Sequence, residues 1–258
     1  MALPLFLSAA CGDGTVSSEL EATHPNGVII RRDKGHKPQD IQKIVNLYRK
    51  DLGGDNNVGA VGTQPQGHRE INWDGVPAAQ SAPNLFPGDF FKARGILISA
   101  PCDQLQVSAK IGEDDVEFGN LNPRFPKLFG TFSPEKLFAP LGSNILEMTF
   151  TVPGSLEPAT VTGFGAVFTD VDLQNVSKIE YFDQKGKNIL TVPVDAVAGS
   201  NESLSFVGVT FTDGRRIAKV RITNGNLPLA YYKGESQWKD AVAVDDFLYG
   251  EPVKSKSW

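Results

Sequence analysis

Asp245 and Asp246 stand side by side inside an apolar run, Ala241-Val-Ala-Val-Asp-Asp-Phe-Leu-Tyr-Gly250. Read as a strand, the run sends the two carboxylates to opposite faces, so one of them faces inward or toward a sheet edge. A buried carboxylate needs a cation or several hydrogen-bond donors. Calcium in a structural role meets that need, since it takes roughly six to eight oxygen ligands, backbone carbonyls included. Asp74 is the natural third ligand if the strand around Ile71-Asn-Trp-Asp74 pairs with this last one. The competing reading has Asp245 accepting backbone N–H bonds at a bulge, or pairing with Arg69 or Arg94.

Other acidic groups carry weaker signals. Asp170 and Asp172 form an Asp-x-Asp pair that suits calcium or a solvated turn, without the Gly and distal Glu of an EF-hand loop. Glu113-Asp-Asp115 reads as an acidic hairpin tip. A different chemistry is offered by Leu229-Ala-Tyr-Tyr-Lys-Gly-Glu-Ser-Gln-Trp238. Tyr231, Tyr232 and Trp238 present flat apolar faces with polar edges, suited to stacking on sugar rings or to a protein interface. Lys233, Glu235 and Gln237 would add hydrogen bonds; alternatively, the aromatics fold back and plug the open end of the domain. No GxSxG, HExxH, P-loop or Rossmann pattern is present. Hydrolysis by a carboxylate pair leaves no local motif and stays open.

The elements that must position these groups are strands. Gly and Pro are abundant (26 and 17) and Phe (16) outnumbers Tyr and Trp, as expected of many short strands joined by turns. Lys178–Phe182 and Asn188–Val192 flank a hairpin turn with Gly186. Leu204–Thr212 and Ile217–Thr223 flank Asp213-Gly214, a tight-turn signal. In the latter strand Ala218, Val220 and Ile222 alternate with Lys219, Arg221 and Thr223, so one face is buried and one solvated. The fold class this predicts is all-β: an antiparallel β-sandwich of jelly-roll type over residues 67–252, with one N-terminal packing helix. The helix is expected at 38–52, where Ile41, Ile44, Val45, Tyr48 and Leu52 form one stripe, opened by Pro38 and closed by Gly53-Gly54. Residues 12–66 otherwise read as tether and linker, and 253–258 as a tail. Trp73 is expected in the core.

At the N-terminus an apolar run, then small residues, then Cys11 (Leu7-Ser-Ala-Ala-Cys11) looks like the end of an export signal over residues 1–11. Lipidation of Cys11, its disulfide with Cys102, and an ordinary apolar N-terminus that packs on the domain are the readings left open. The expected location is extracellular or the cell envelope. The net charge of −5 argues against a nucleic-acid partner, and no apolar run is long enough for a transmembrane helix.

Residues 67–252 resemble a family of secreted bacterial β-sandwich proteins. The stretches that carry the resemblance are Arg69-Glu-Ile-Asn-Trp-Asp-Gly-Val-Pro77, Phe118-Gly-Asn-Leu-Asn-Pro123, Gly163-Phe-Gly-Ala-Val-Phe-Thr-Asp-Val-Asp172, Arg216-Ile-Ala-Lys-Val-Arg-Ile222 and Asp245-Asp-Phe-Leu-Tyr-Gly250. The family implies export and no particular activity. Many of its members carry a C-terminal sorting anchor; here the chain closes on Lys254-Ser-Lys-Ser-Trp258, so anchoring would fall to Cys11. More loosely, the Asp-Asp strand resembles jelly-roll modules that bind carbohydrate. The expected function is therefore a non-catalytic secreted or envelope module for a glycan or a surface protein. The alternatives are a structural or adhesive envelope protein and a glycan-active hydrolase.

Overall fold

The computed structural model describes residues 23–24, 27–234 and 238–255. The signal-like segment with Cys11, Glu235 and Gln237 of the aromatic loop, and the last residues of the tail lie outside them. The described residues form two antiparallel sheets that face each other, with one α-helix on the outside, as the alternation and turn spacing predict.

The eight-stranded sheet runs β1 (Thr23–His24), β2 (Val28–Gly35), β12 (Leu204–Phe211), β9 (Gly163–Thr169), β14 (Ala243–Gly250), β6 (Phe138–Pro140) and β5 (Leu105–Val107), with β3 (His68–Ile71) also on β14. The seven-stranded sheet runs β11 (Asn188–Pro193), β10 (Lys178–Phe182), β13 (Lys219–Thr223), β7 (Ile145–Thr151), β8 (Pro158–Thr160) and β15 (Val253–Lys254), with β4 (Ile96–Ser99) also on β7. Inward rows from both sheets meet in one core: Phe164, Ala166 and Phe168 from β9 oppose Val220 and Ile222 from β13. Trp73 is in this core as expected, stacked on Phe138 at 4.0 Å, with its Nε1 donating to the Asp245 carbonyl at 2.7 Å. β3 closes against β14 with Ile71 opposite Phe247, the predicted union of an early strand with the last.

The helix, α1 (Pro38–Asp51), lays its stripe on the outer face of the larger sheet, against Val167, Leu204, Phe206 and Leu248. Asp40 accepts the His36 and Lys37 N–H groups ahead of its first turn. Tyr48 reaches deepest, and its hydroxyl donates to the Val209 carbonyl at 2.9 Å. Gly165 and Gly208 pair across β9 and β12 directly beneath its ring. A Cβ at either would come within 2.8 Å of the ring atoms, so only glycine allows this approach.

One expectation is corrected here. Val28–Gly35, placed in a tether for want of periodicity, is a strand paired along the whole of β12. Its basic residues have partners the local sequence does not contain: Arg31 on Asp51 at 2.7 Å, Arg32 on Asp195 at 3.6 Å, and Lys34 on the Ala196 carbonyl at 2.7 Å. The linker after the helix is likewise held, by Asn57 and Gln64 on Glu251 and by Thr63 on the Pro252 carbonyl. The turn expected at Asp213-Gly214 (Gly214 φ 91°) carries the chain from one sheet to the other, so β12 and β13 are not neighbours.

Candidate functional site

Asp245 and Asp246 meet at one loop, not on opposite faces. Val244 pairs with Phe168 and Phe247 with Ala166, so β14 holds one residue more than β9 between these pairs. This β-bulge breaks the alternation and lets both side chains reach Ser133. Asp245 accepts the N–H groups of Phe132 (2.6 Å) and Ser133 (3.3 Å) and lies 3.2 Å from the Ser133 hydroxyl. That hydroxyl is 2.6 Å from Asp246. Burial and the adjacent Asp246 push Asp245 well above the usual carboxylate range. Burial also raises Asp246, to about 6, against the hydrogen bonds it accepts. Asp74 holds the far side of the same loop, accepting the N–H groups of Glu135 and Lys136. The three expected metal ligands are thus occupied with the backbone and hydroxyl donors of 132–136. Neither expected arginine pairs with Asp245: Arg69 forks onto Glu251 (2.9 and 2.7 Å) and Arg94 donates to the Glu70 carbonyl. Among the described residues, no three of His, Cys, Asp and Glu are grouped to hold a metal.

Asp246 also lines a polar cavity of about 440 Å³ beneath α1, with Gln42, Arg49, Asn72, Glu70 and Arg94. Burial acts to raise Glu70, but hydrogen bonds from His68 (2.5 Å) and Arg49 (2.8 and 2.9 Å) outweigh it and hold the group at about 2. Two carboxyl groups with opposed protonation preferences therefore share one cavity. Sequence reading named Asp246, and Arg94 only as a partner for Asp245, but not Glu70 or Arg49, because α1, β3 and the turn before β4 meet only in the fold.

The aromatic loop is closed at its root. Asn226 donates through its side chain to the Trp238 carbonyl (2.9 Å) and accepts from the Asp240 N–H (2.9 Å), while the Asp240 carbonyl receives the N–H groups of Asn226 and Leu227. A short 3₁₀ turn, Leu229–Tyr231, fixes the first limb. Leu229 is buried, and Tyr232 packs on Phe125 at 4.7 Å. Tyr231 and Trp238 instead stand 63% and 74% exposed. The plugging and binding readings thus divide between side chains: Tyr232 folds inward and its two neighbours face out. Elsewhere, Asp172 accepts the Gly199 and Ser200 N–H groups, whereas Asp170 is fully buried. Cys102 is exposed.

The fold and these sites define an all-β sandwich with two exposed aromatics on one loop and a polar cavity under its single described α-helix. No family model and no curated protein matches the chain. Among solved structures, the enzymatically active domain of bacteriophage CBA120 tailspike protein 4 is similar at 15% identity and TM-score 0.31, over 70% of this chain and 21% of its own. This chain thus spans about a fifth of the tailspike chain. The lectin-binding domain of lectinolysin, complexed with Lewis b, is similar at 9% identity and TM-score 0.25, over 57% of this chain and 92% of its own. At these TM-scores neither likeness carries an argument. Among the described residues, no helix is long and apolar enough to cross a membrane.

Proposed function

We propose that this chain is an exported glycan-binding module whose contact face is the loop at 227–239. The observation that carries the reading is the exposure of Tyr231 and Trp238, 63% and 74%, on a loop whose root and first limb are anchored. Two large aromatic rings standing in water near one another are a poor use of apolar surface unless something covers them. Sugar rings offer C–H faces that stack on such rings, and hydroxyls that take hydrogen bonds at their edges. Lys233, exposed between the two, supplies a donor. Export rests on the apolar run and small residues before Cys11, and lipidation of Cys11 would hold the module at the envelope.

A glycan array probed with the wild type and with Tyr231→Ala and Trp238→Ala tests the reading. Binding by the wild type, lost in both variants at unchanged melting temperature, supports it. A wild type that binds no glycan leaves the structural or adhesive envelope protein in its place.

A glycan-active hydrolase is favoured by one observation: Glu70, held ionised, and Asp246, held near 6, line the same cavity. Opposed carboxyl preferences are what acid and nucleophile roles require. Reducing-sugar release from any bound glycan, abolished by Asp246→Asn, would establish it; binding without release would end it.

A further inference from the structure

A cavity of about 590 Å³ opens where the β10–β11 turn, the turn after β12 and the last strand, β15, come together. The aromatic loop leaves β13 past Thr223, at the other end of that strand. Four cations line the cavity, Lys185, Arg215, Arg216 and Lys254, with one acid, Asp183. The chain as a whole has a net charge of −5, so this gathering of positive charge runs against its composition. Asp183 is engaged in its own turn, where one oxygen accepts the Lys185 and Lys187 N–H groups, both at 2.9 Å. Ile189 and Val253 add apolar surface to the wall, and Val253 is 42% exposed.

Arg216 sets this cavity apart. Arg31, Arg32, Arg49, Arg69, Arg215 and Arg221 each hold a carboxylate within 3.6 Å. Among the described residues Arg216 has no such partner. Its Nε donates to the Thr160 hydroxyl at 3.0 Å and its Nη2 to the Thr160 carbonyl, both neutral acceptors. The Nη1–Nη2 edge keeps hydrogens for a further acceptor. The side chain is partly buried, and burial pushes its pKa down with no acid acting against it. A guanidinium drawn out of bulk water without a counter-charge is costly, and a carboxylate or sulfate on its open edge relieves that cost. Thr160 pins the fork beside β15, because it pairs with Val253. Lys254, the next residue, adds a second cation to the wall. Its contact with Glu157 at 2.7 Å is exposed on both sides, 65% and 54%, and such pairs exchange readily for another anion.

We propose that this cavity is a second ligand site, one for an anionic saccharide: Arg216 pairs with a carboxylate or sulfate on the sugar, Lys254 adds charge, and Ile189 and Val253 receive the C–H face of the ring. The planar fork suits either oxyanion. The apolar wall suits an anion carried on a ring better than a free inorganic one. Lys185 and Arg215 have contacts of their own and need only add to the local potential. The ligand class rests on the glycan reading, but the site uses none of the residues of the aromatic loop.

Microcalorimetric titration of the full chain with oligogalacturonate, dextran sulfate, neutral dextran and poly-glutamate tests the site. The wild type should bind at least one of the two acidic saccharides, more weakly as salt rises. Oligogalacturonate alone assigns the anion to a carboxylate and dextran sulfate alone to a sulfate; either supports the site. Arg216→Gln should weaken this binding about tenfold or more, and Lys254→Gln roughly two- to fivefold. Lys187→Gln removes an equal charge from the neighbouring turn, outside the cavity, and should bind like the wild type. Should Arg216→Gln fail to fold, NMR of the wild type still decides: the bound saccharide should shift the amides of 183–186, 214–216 and 253–254. Neutral glycans at the loop are scored separately by Tyr231→Ala and Trp238→Ala, so failure of that reading and failure of this site are distinct results. A wild type that binds neither acidic saccharide overturns the proposal. So do undiminished binding by folded Arg216→Gln, an equal loss in Lys187→Gln, amide shifts centred on 229–239, or poly-glutamate bound as tightly as the saccharide.

Discussion

Asp245 and Asp246 are met by the Phe132 and Ser133 N–H groups and the Ser133 hydroxyl, while a few residues upstream Asp240 keeps a sealed oxygen with no partner. Both groups are buried acids beside the same strand. The first draws attention because two carboxylates adjoin in sequence; the second is dispersed over segments that meet only in space. Adjacency in sequence is thus a poor guide to which buried acid is short of donors. The better guide is the count of donors that the folded backbone supplies: Asp245 receives two amide N–H groups, whereas Asp240 Oδ1 receives none.

The comparison can be broken at either end. The largest effect is expected from Asp245→Ala, which strands the buried Phe132 N–H and should destabilise by about 2–4 kcal/mol in chemical denaturation. Asp245→Asn, which mimics the neutral acid and keeps an acceptor, should cost about 1 kcal/mol or less. Equal losses in the two would show that Asp245 is charged and its cluster wrongly described.

Next in size is a pH effect. Asp246, held near 6 in the fold, titrates near 3.9 when unfolded. A raised carboxyl stabilises the fold below the unfolded value, and that contribution is lost as pH rises through about 6. The loss is on the order of 2–3 kcal/mol between about pH 4 and about pH 7, and Asp246→Asn should flatten it. Glu70, held at about 2, acts oppositely and at lower pH: its contribution is present above about 4.5 and fades as pH falls toward 2. Stability measured against pH in the wild type, Asp246→Asn and Glu70→Gln separates the two windows.

A smaller effect sharpens the other cluster. Asn224→Leu removes two orphaned polar atoms and should be neutral or stabilising by up to about 1 kcal/mol in chemical denaturation. A loss of stability of about 1 kcal/mol or more would mean that the amide is satisfied in the fold. Smallest of all, Tyr231→Ala and Trp238→Ala should move stability by no more than about 0.5 kcal/mol, because the rings are exposed. Tyr232→Ala, which uncovers Phe125, should cost about 1–2 kcal/mol in the same denaturation series.

Much of the scaffold is legible where a residue's role is set by its near neighbours. The stripe Ile41, Ile44, Val45, Tyr48 and Leu52 declares α1, and Gly186 declares the β10–β11 turn, because period and turn conformation are local. What escapes is set at a distance. β2 reads as tether because Arg31, Arg32 and Lys34 find their partners on α1 and on the 195–196 segment. Gly214 announces a turn without saying that the next strand belongs to the other sheet. A single extra residue at the bulge reverses the facing of Asp246, and no residue type marks it. Asn224 looks like one more polar residue at a strand end; only the fold shows its amide buried without a hydrogen-bond partner.

The most direct test of the account is affinity electrophoresis of the full chain through gels cast with a panel of soluble neutral polysaccharides. The wild type, the Tyr231→Ala/Trp238→Ala double variant and Asp246→Asn would be run side by side. The account predicts that at least one polysaccharide retards the wild type and Asp246→Asn alike, and that the double variant migrates as in the empty gel. Retardation that survives in the double variant, or a wild type retarded by nothing, would contradict it.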